Sequence, residues 1–376
     1  MPPQMKADPR KVFMSVDAVG GVWTYALELA RALASRRIET DLAVLGPPPT
    51  AAQRRAAAEI AGARLLATGL PLDWTAHTEA ELDDAAARLS ELAMAFGADL
   101  VHLNAPAHAG LARWRLPLVV VAHSCVATWW RATQCSPLPD DLAWRARRTG
   151  LGMAIADAVI APSHSFARQL ASAYVEERRI DVVHNAREPS TVCEAAARDC
   201  ILTAGRLWDR GKNARCIDRA AARLASSIHA AGPTHGPNGE MVELPYLVHL
   251  GEVSATDLAH WYARTAIFIS MSAYEPFGLS VLEAAQAGAA LVLSDIDTFR
   301  ELWHGAACFV PPDDSGALAS AIDWLSRNEE IRGDLALRAR ERAGQYSIEG
   351  KLVGTLRVYH QARSVHLELA VPRSAA

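Results

Sequence analysis

The stretch SAYEPFGLSVLEAAQAG, Ser272 to Gly288, carries two glutamates eight residues apart, Glu275 and Glu283, on either side of Phe277-Gly278. An ionised carboxylate accepts hydrogen bonds and repels phosphate, so in a binding site it suits hydroxyl groups. Upstream, Arg206 directly follows an apolar run that ends at Gly205, and Lys212 stands six residues further on. Arginine grips phosphate with a planar fork, and lysine meets it as a point charge. A helix expected over 278–287 would present unpaired N–H groups and a dipole that favours an anion. Gly278 lets a ligand approach that backbone closely. Two cations and a helix N-terminus describe a diphosphate site. Glu275 then suits a sugar attached to the diphosphate. Glu283, about one and a half turns into the helix, suits a second set of hydroxyls such as a ribose.

Each of these residues has a plainer reading. Ser280, Glu283 and Gln286 recur at spacing three, which by itself describes a solvated helix face. Arg206 and Lys212, taken singly, read as surface charges. Their joint placement after one strand is what favours a ligand. In the first half, Gly20-Gly21 precede a helix at the end of a strand, where backbone amides can approach an anion, although a glycine pair also makes ordinary turns. It is not the G-x-G-x-x-G dinucleotide fingerprint. His123 ends the run LVVVAH and is either structural or catalytic. Trp129-Trp130 follow in an expected loop, to stack on a ring or simply to pack. His102, His108 and His184 make weaker cases, with His184-Asn185 closing the last strand of this half.

The elements that must hold these residues follow from the apolar pattern. Short apolar runs at 11–15, 40–46, 63–67, 99–103, 118–123, 157–162 and 180–185 alternate with helical stretches such as 23–35 and 81–97. Runs apolar at nearly every position are strands buried on both faces, and their alternation with helices means a parallel sheet. The second half repeats the pattern, with strands at 200–205, 227–232, 246–251, 266–272, 290–294 and 308–312 and helices near 213–225, 255–264, 278–287, 315–327 and 330–344. The expected architecture is α/β: two doubly wound domains, 1–187 and 188–345, with a hinge in 186–199. A last helical pattern at 349–364 within 346–376 has no strand after it. In such sheets ligands bind beyond the carboxyl ends of the strands, the edge on which Arg206, Lys212, Glu275, Gly20 and His123 all fall.

At these residues the chain resembles the retaining glycosyltransferases of the GT-B fold, family four (glycosyltransferase group 1). Gly20-Gly21, Arg206 with Lys212, and Glu275-Pro-Phe-Gly-Leu-Ser-Val-Leu-Glu283 match in order and spacing over nearly the whole chain. The resemblance implies two Rossmann-like domains facing a cleft, with a nucleotide-sugar donor held mainly by the second. Arg206 and Lys212 would grip the diphosphate, and Glu275 the donor hexose. The backbone of Phe277, Gly278 and Leu279 would line sugar and phosphate, and Glu283 would take the ribose. Gly20 and Gly21 would close over the phosphates, and His123 would lie at the reacting sugar. It implies no metal, no resident cofactor, and a final helix that returns to the first domain. Three positions depart from the family pattern. The Arg206–Lys212 spacing is six instead of five. Ser124 follows His123 in place of Asp. Ala186 follows Asn185 in place of Gly.

The function expected is transfer of a hexosyl group from a nucleoside diphosphate sugar, with UDP-sugar as the starting expectation, to a glycan, lipid or small-molecule acceptor. Competing readings are an epimerase or hydrolase acting on a nucleotide sugar, a nicotinamide-dependent dehydrogenase, and a non-catalytic sugar-nucleotide-binding protein. The chain has 376 residues, 51% hydrophobic and 21% charged, with a net charge of −4, so it offers no basic field to nucleic acid. Six cysteines, Cys125, Cys135, Cys193, Cys200, Cys216 and Cys308, are scattered without C-x-x-C pairs, which argues against a disulfide framework or a zinc site and fits a reducing cytosol. No run has signal-peptide or bilayer-spanning character, so a cytoplasmic protein is expected, with peripheral membrane contact compatible with the composition.

Overall fold

The structure, a computed structural model, describes residues 7–110, 112–174, 179–190, 198–237 and 239–370. Cys193 and the central part of the expected hinge, 191–197, lie outside the described residues. The chain forms two compact units. The first contains the chain up to Trp130, Ser136–Asn185 and the chain from Ile348, and the second contains Arg131–Cys135 and Ala186–Ser347.

The first unit runs β1 (Lys11–Asp17), α1 (Gly21–Ser35), β2 (Glu39–Leu45), α2 (Ala51–Ala58), β3 (Ala63–Ala67), α3 (Glu79–Ala95), β4 (Leu100–Leu103), β5 (Leu118–Val121), α4 (Val126–Thr133), α5 (Asp140–Ile155), β6 (Ala158–Ala161), α6 (His164–Tyr174) and β7 (Asp181–Val182). The second runs β8 (Cys200–Ala204), α7 (Ala214–Ala221), β9 (Ile228–Ala231), β10 (Val248–Gly251), α8 (Ala255–Arg264), β11 (Thr265–Ser270), α9 (Leu279–Gln286), β12 (Ala290–Ser294), α10 (Asp297–Trp303), β13 (Cys308–Val310), α11 (Ser315–Arg327) and α12 (Glu329–Ala343). A last helix, α13 (Ile348–Ala370), belongs to the first unit.

Every strand pairing within the two sheets is parallel. The strand orders are β3-β2-β1-β4-β5-β6-β7 and β10-β9-β8-β11-β12-β13. In each sheet the order reverses once, between β1 and β4 in the first and between β8 and β11 in the second. There the loops leave in opposite directions and open a crevice at the carboxyl edge.

The second sheet shows why its strands are apolar throughout. Ile201, Ile267, Ile269 and Val292 enter one core layer, while Leu202, Phe268, Leu291 and Leu293 enter the layer on the other face. Alternate side chains point to opposite faces, so a sheet covered on both sides needs carbon at every position. In the first unit, Val12, Met14, Leu29, Leu33 and Val119 share a core with Leu352, Leu356 and Tyr359 of α13.

Three sequence expectations differ from the structure. Trp129 and Trp130 lie on the helix α4, not in a loop. Their run is short, and two adjacent tryptophans hide the 3.6-residue period. The run at 180–185 pairs only over Asp181–Val182. The run at 246–251 pairs only from Val248, on the rim of its sheet, with largely exposed side chains. Among the described residues no helix is long and apolar enough to cross a membrane.

Candidate active site

The second unit brings Lys212 and Glu275 together. Lys212 Nζ donates to Glu275 Oε2 at 2.5 Å, and both side chains are largely buried. They come from loops after β8 and β11, adjacent strands at the reversal point. Those loops are also joined by backbone, because the amides of Ala273 and Tyr274 both donate to Gly211 O, at 2.9 and 3.2 Å. Lysine has three donors, and one is spent on Glu275, which keeps a second oxygen. One contact thus fixes a cation and a hydroxyl acceptor side by side.

Arg206 is the second residue of the loop after β8. Its guanidinium donates to Asp209 Oδ2 at 3.1 Å and lies 5.6 Å from the Trp208 ring centre. Asp209 is 9% exposed, and its other oxygen accepts from the Gly211 amide at 2.8 Å, capping the 3-10 turn Arg210–Lys212. Asp209 therefore orients Arg206 and shapes the turn that carries Lys212. Sequence reasoning missed it, although an acid three residues from each cation was a readable signal.

Gly278 caps α9 with φ 93° and ψ 68°, and no side chain bonds the helix start. A Cβ there would stand 3.1 Å from Phe299 Cε1 and 3.3 Å from Val281 Cγ2. The left-handed backbone and the crowding both require glycine. Phe277 turns its ring into the core, edge-on to Tyr346 at 5.4 Å, so only its backbone faces outward chemistry. Leu279 opens the helix.

Glu283 is not a free solvated carboxylate. Arg187 Nε lies 2.5 Å from its Oε1, and Gln286 Nε2 donates to Arg187 O at 2.8 Å. Burial, and then the adjacent Glu283 charge, push the Tyr262 hydroxyl well above the usual phenol range. Two members of the polar stripe on α9, Glu283 and Gln286, therefore hold Arg187. Beyond the carboxyl ends of β9 and β10 lies an open depression of about 670 Å³, lined in part by Gly232, Thr234, His235, Leu244 and His249.

The first unit has its own cluster at its reversal point. Gly20 caps α1 with φ 92° and ψ −149°, a backbone state open to glycine, and a Cβ there would meet nothing within 4 Å. Gly21 starts the helix. His123, two residues past β5, is partly exposed, and its Nε2 lies 2.9 Å from Asn104 Oδ1. Tyr25 of α1 packs edge-on against it, with ring centres 4.4 Å apart. Burial, then the nearby His102 and Lys351, push His123 down to about 3. It is a neutral imidazole at pH 7. His102 is fully buried and bonds Tyr359 Oη at 2.8 Å. His108 is fully buried with Nε2 3.0 Å from Pro71 O, and is structural. His184 lies edge-on to His164.

Two parallel α/β units, each with polar groups on its ligand edge at the strand-order reversal, define a GT-B type of architecture. Residues 19–190 match the family model described as Glycosyltransferase Family 4, and residues 198–328 match that described as Glycosyl transferases group 1. The chain belongs to this glycosyltransferase family. It is 30% identical over 114 residues to the O-antigen chain mannosyltransferase B of Escherichia coli, a match that covers 30% of each chain, so it spans under a third of that relative's length. Among solved structures it is similar to sucrose-phosphate synthase from Thermosynechococcus elongatus, with 18% identity and a TM-score of 0.78 over 96% of this chain and 100% of the other. It is also similar to Anabaena HepE, solved in complex with UDP and glucose, with 16% identity and a TM-score of 0.70 over 94% and 99%. At these identities the likeness is one of fold.

Proposed function

We propose that the protein transfers a hexosyl group from a nucleoside diphosphate sugar to an acceptor hydroxyl with retention of configuration. The carrying observation is the Lys212–Glu275 contact between neighbouring loops at the β8/β11 reversal, in the unit where α9 starts without a side-chain cap. A cation beside a hydroxyl acceptor suits the junction of a phosphate and a sugar. In the reaction the bond from the anomeric carbon to the phosphate oxygen breaks and a bond to the acceptor oxygen forms. The acceptor proton leaves with the diphosphate, whose oxygen faces the same side of the sugar. Negative charge grows on the leaving group, and Arg206, Lys212 and the α9 amides stabilise it where it develops. Glu275 holds the hexose, the backbone of Phe277, Gly278 and Leu279 lines sugar and phosphate, and Glu283 serves the ribose after exchanging or sharing Arg187. The depression beside β9 and β10 has the size of a small-molecule site and suits the nucleoside. Gly20, Gly21 and His123 serve the reacting end of the donor and the acceptor. We assign no metal and no resident cofactor to the step, and a cytoplasmic location to the protein.

The mannosyltransferase relative and the UDP and glucose in the HepE structure make mannose and glucose the first sugars to test. The experiment is turnover of a panel of nucleotide sugars with glycan, lipid and small-molecule acceptors, with the anomeric configuration of the product read by NMR. Lys212→Ala is expected to lower kcat about 10²- to 10³-fold while circular dichroism stays unchanged. Undiminished turnover, or consumption of donor that ignores added acceptor, would refute the assignment.

A further inference from the structure

The polar cluster of the first unit has a direction. Asn104, 7% exposed and just past β4, donates from Nδ2 to Ser15 O at 2.6 Å. That bond fixes the amide orientation, so Oδ1 is the atom turned to the two histidines. An amide oxygen only accepts. His123 Nε2 at 2.9 Å and His102 Nε2 at 3.3 Å must then each carry a proton. On neutral His102 this leaves Nδ1 as an acceptor, and the Tyr359 hydroxyl at 2.8 Å supplies the proton. Burial holds that hydroxyl well above the usual phenol range, so it stays a donor. Every bond in the chain Tyr359, His102, Asn104, His123 points to the one oxygen.

Burial first, and the nearby Lys351 charge after it, keep the arrangement neutral. Lys351 of α13 is 2% exposed, donates to Tyr25 O at 3.0 Å and sits 3.7 Å from the centre of the Tyr25 ring. Tyr25 in turn packs on His123. Burial, opposed in part by the Asn104 bond and reinforced by Lys351, pushes His102 down to about 3. Both imidazoles are therefore held as single neutral tautomers, each set by the bond at its other nitrogen.

We propose that Asn104 is a positioning residue that locks His123 as the Nε2–H tautomer, so that Nδ1 offers a lone pair to a substrate hydroxyl. This deepens the glycosyl-transfer reading and rests on it for the identity of the hydroxyl. The tautomer itself is a property of the protein alone. A ring that must accept a hydrogen bond is of no use in the other tautomer, and the groups that set it here, Asn104, Ser15, His102 and Tyr359, all belong to the first unit.

The test uses the full chain labelled with 15N in its histidine rings. Two-bond proton couplings report which nitrogen of His123 is protonated, with His123→Gln used to assign its signals. The expected wild-type spectrum at pH 7 is a single Nε2–H form. An Nδ1–H form, or a rapid mixture, overturns the proposal without any variant being needed. Asn104→Leu is expected to release the ring to a mixture and to lower kcat roughly tenfold to a hundredfold with KM little changed. Asn104→Asp keeps the acceptor and should keep the Nε2–H form while raising the pH at which His123 protonates. Tyr359→Phe should disturb His102 and leave His123 in place. Asn104→Leu with an unaltered spectrum, or with wild-type kcat, would overturn the proposal. If no nucleotide sugar is turned over by the wild type, the functional reading fails while the spectra still decide the tautomer.

Discussion

Lys212 has one ammonium and two prospective partners. In the structure it is engaged with Glu275, and in the proposed reaction it also meets phosphate. The two anions compete for the same cation. Glu275→Gln removes the competitor's charge and keeps its shape. We expect the variant to bind nucleoside diphosphate as tightly or several-fold more tightly, in line with a coupling of about 1 kcal/mol for such a pair. It should also turn over sugar donor at least tenfold more slowly, because a sugar hydroxyl loses its ionised acceptor. Calorimetric titration showing weaker diphosphate binding would contradict the arrangement. His102 supports a second expectation at this scale. Its folded pKa of about 3 lies below the ordinary histidine value, so below about pH 6.5 the unfolded chain takes up a proton that the folded one does not. Its contribution to stability is complete above that pH and is lost as pH falls toward 3. Moving from pH 7 to pH 5 should cost about 2 kcal/mol from this residue. Urea midpoints of the wild type should fall over that range, and those of His102→Asn should fall less. Equal falls in both chains would count against it.

At the scale of elements, the ends of strands decide which glycines are indispensable. Gly232 follows β9 with φ 128°, and a Cβ on it would fall 1.8 Å from Gly205 O at the end of β8. Gly232→Ala should destabilise the second unit by about 2–4 kcal/mol, from overpacking and the unfavourable backbone together. Gly20→Ala meets open space and should cost only about 1–2 kcal/mol of strain. Comparable losses in thermal melts of the two variants would show that crowding at the β8–β9 edge is not the difference. The sheets themselves were legible because their strands are apolar at nearly every position and their loops carry punctuating residues, such as Gly205 at the start of one and Gly278 at the end of another. The pairing of loops was less legible. That Lys212 would touch Glu275 follows from β8 lying next to β11, a long-range choice that no local pattern states. Arg187 was invisible for the same reason, while Asp209 was readable by its spacing and its contacts were not. Each acts through a partner named only when the chain is folded. Asn104 was hidden differently, because a lone buried amide has no periodicity to betray it.

For the whole molecule, the two units divide the work unequally. The diphosphate groups of the proposed donor site, Arg206, Lys212 and the start of α9, all belong to the second unit. A nucleoside diphosphate without its sugar should therefore protect the second unit by mass action, about 2.7 kcal/mol at a hundredfold excess over its Kd. Hydrogen exchange should slow in β8, β11 and α9 before it slows in β2 or α3. Protection beginning in the first unit would place the donor elsewhere.

The path of the chain through the first unit sets its timetable in the cell. The core that encloses β1, α1 and β5 also needs Leu352, Leu356 and Tyr359, which arrive after the whole of the second unit has been synthesised. A ribosome adding residues one by one releases the second unit's sequence while the first still lacks a wall of its interior. The polypeptide that begins first is thus obliged to finish last, and the second unit can mature while its neighbour waits as an unsealed sheet.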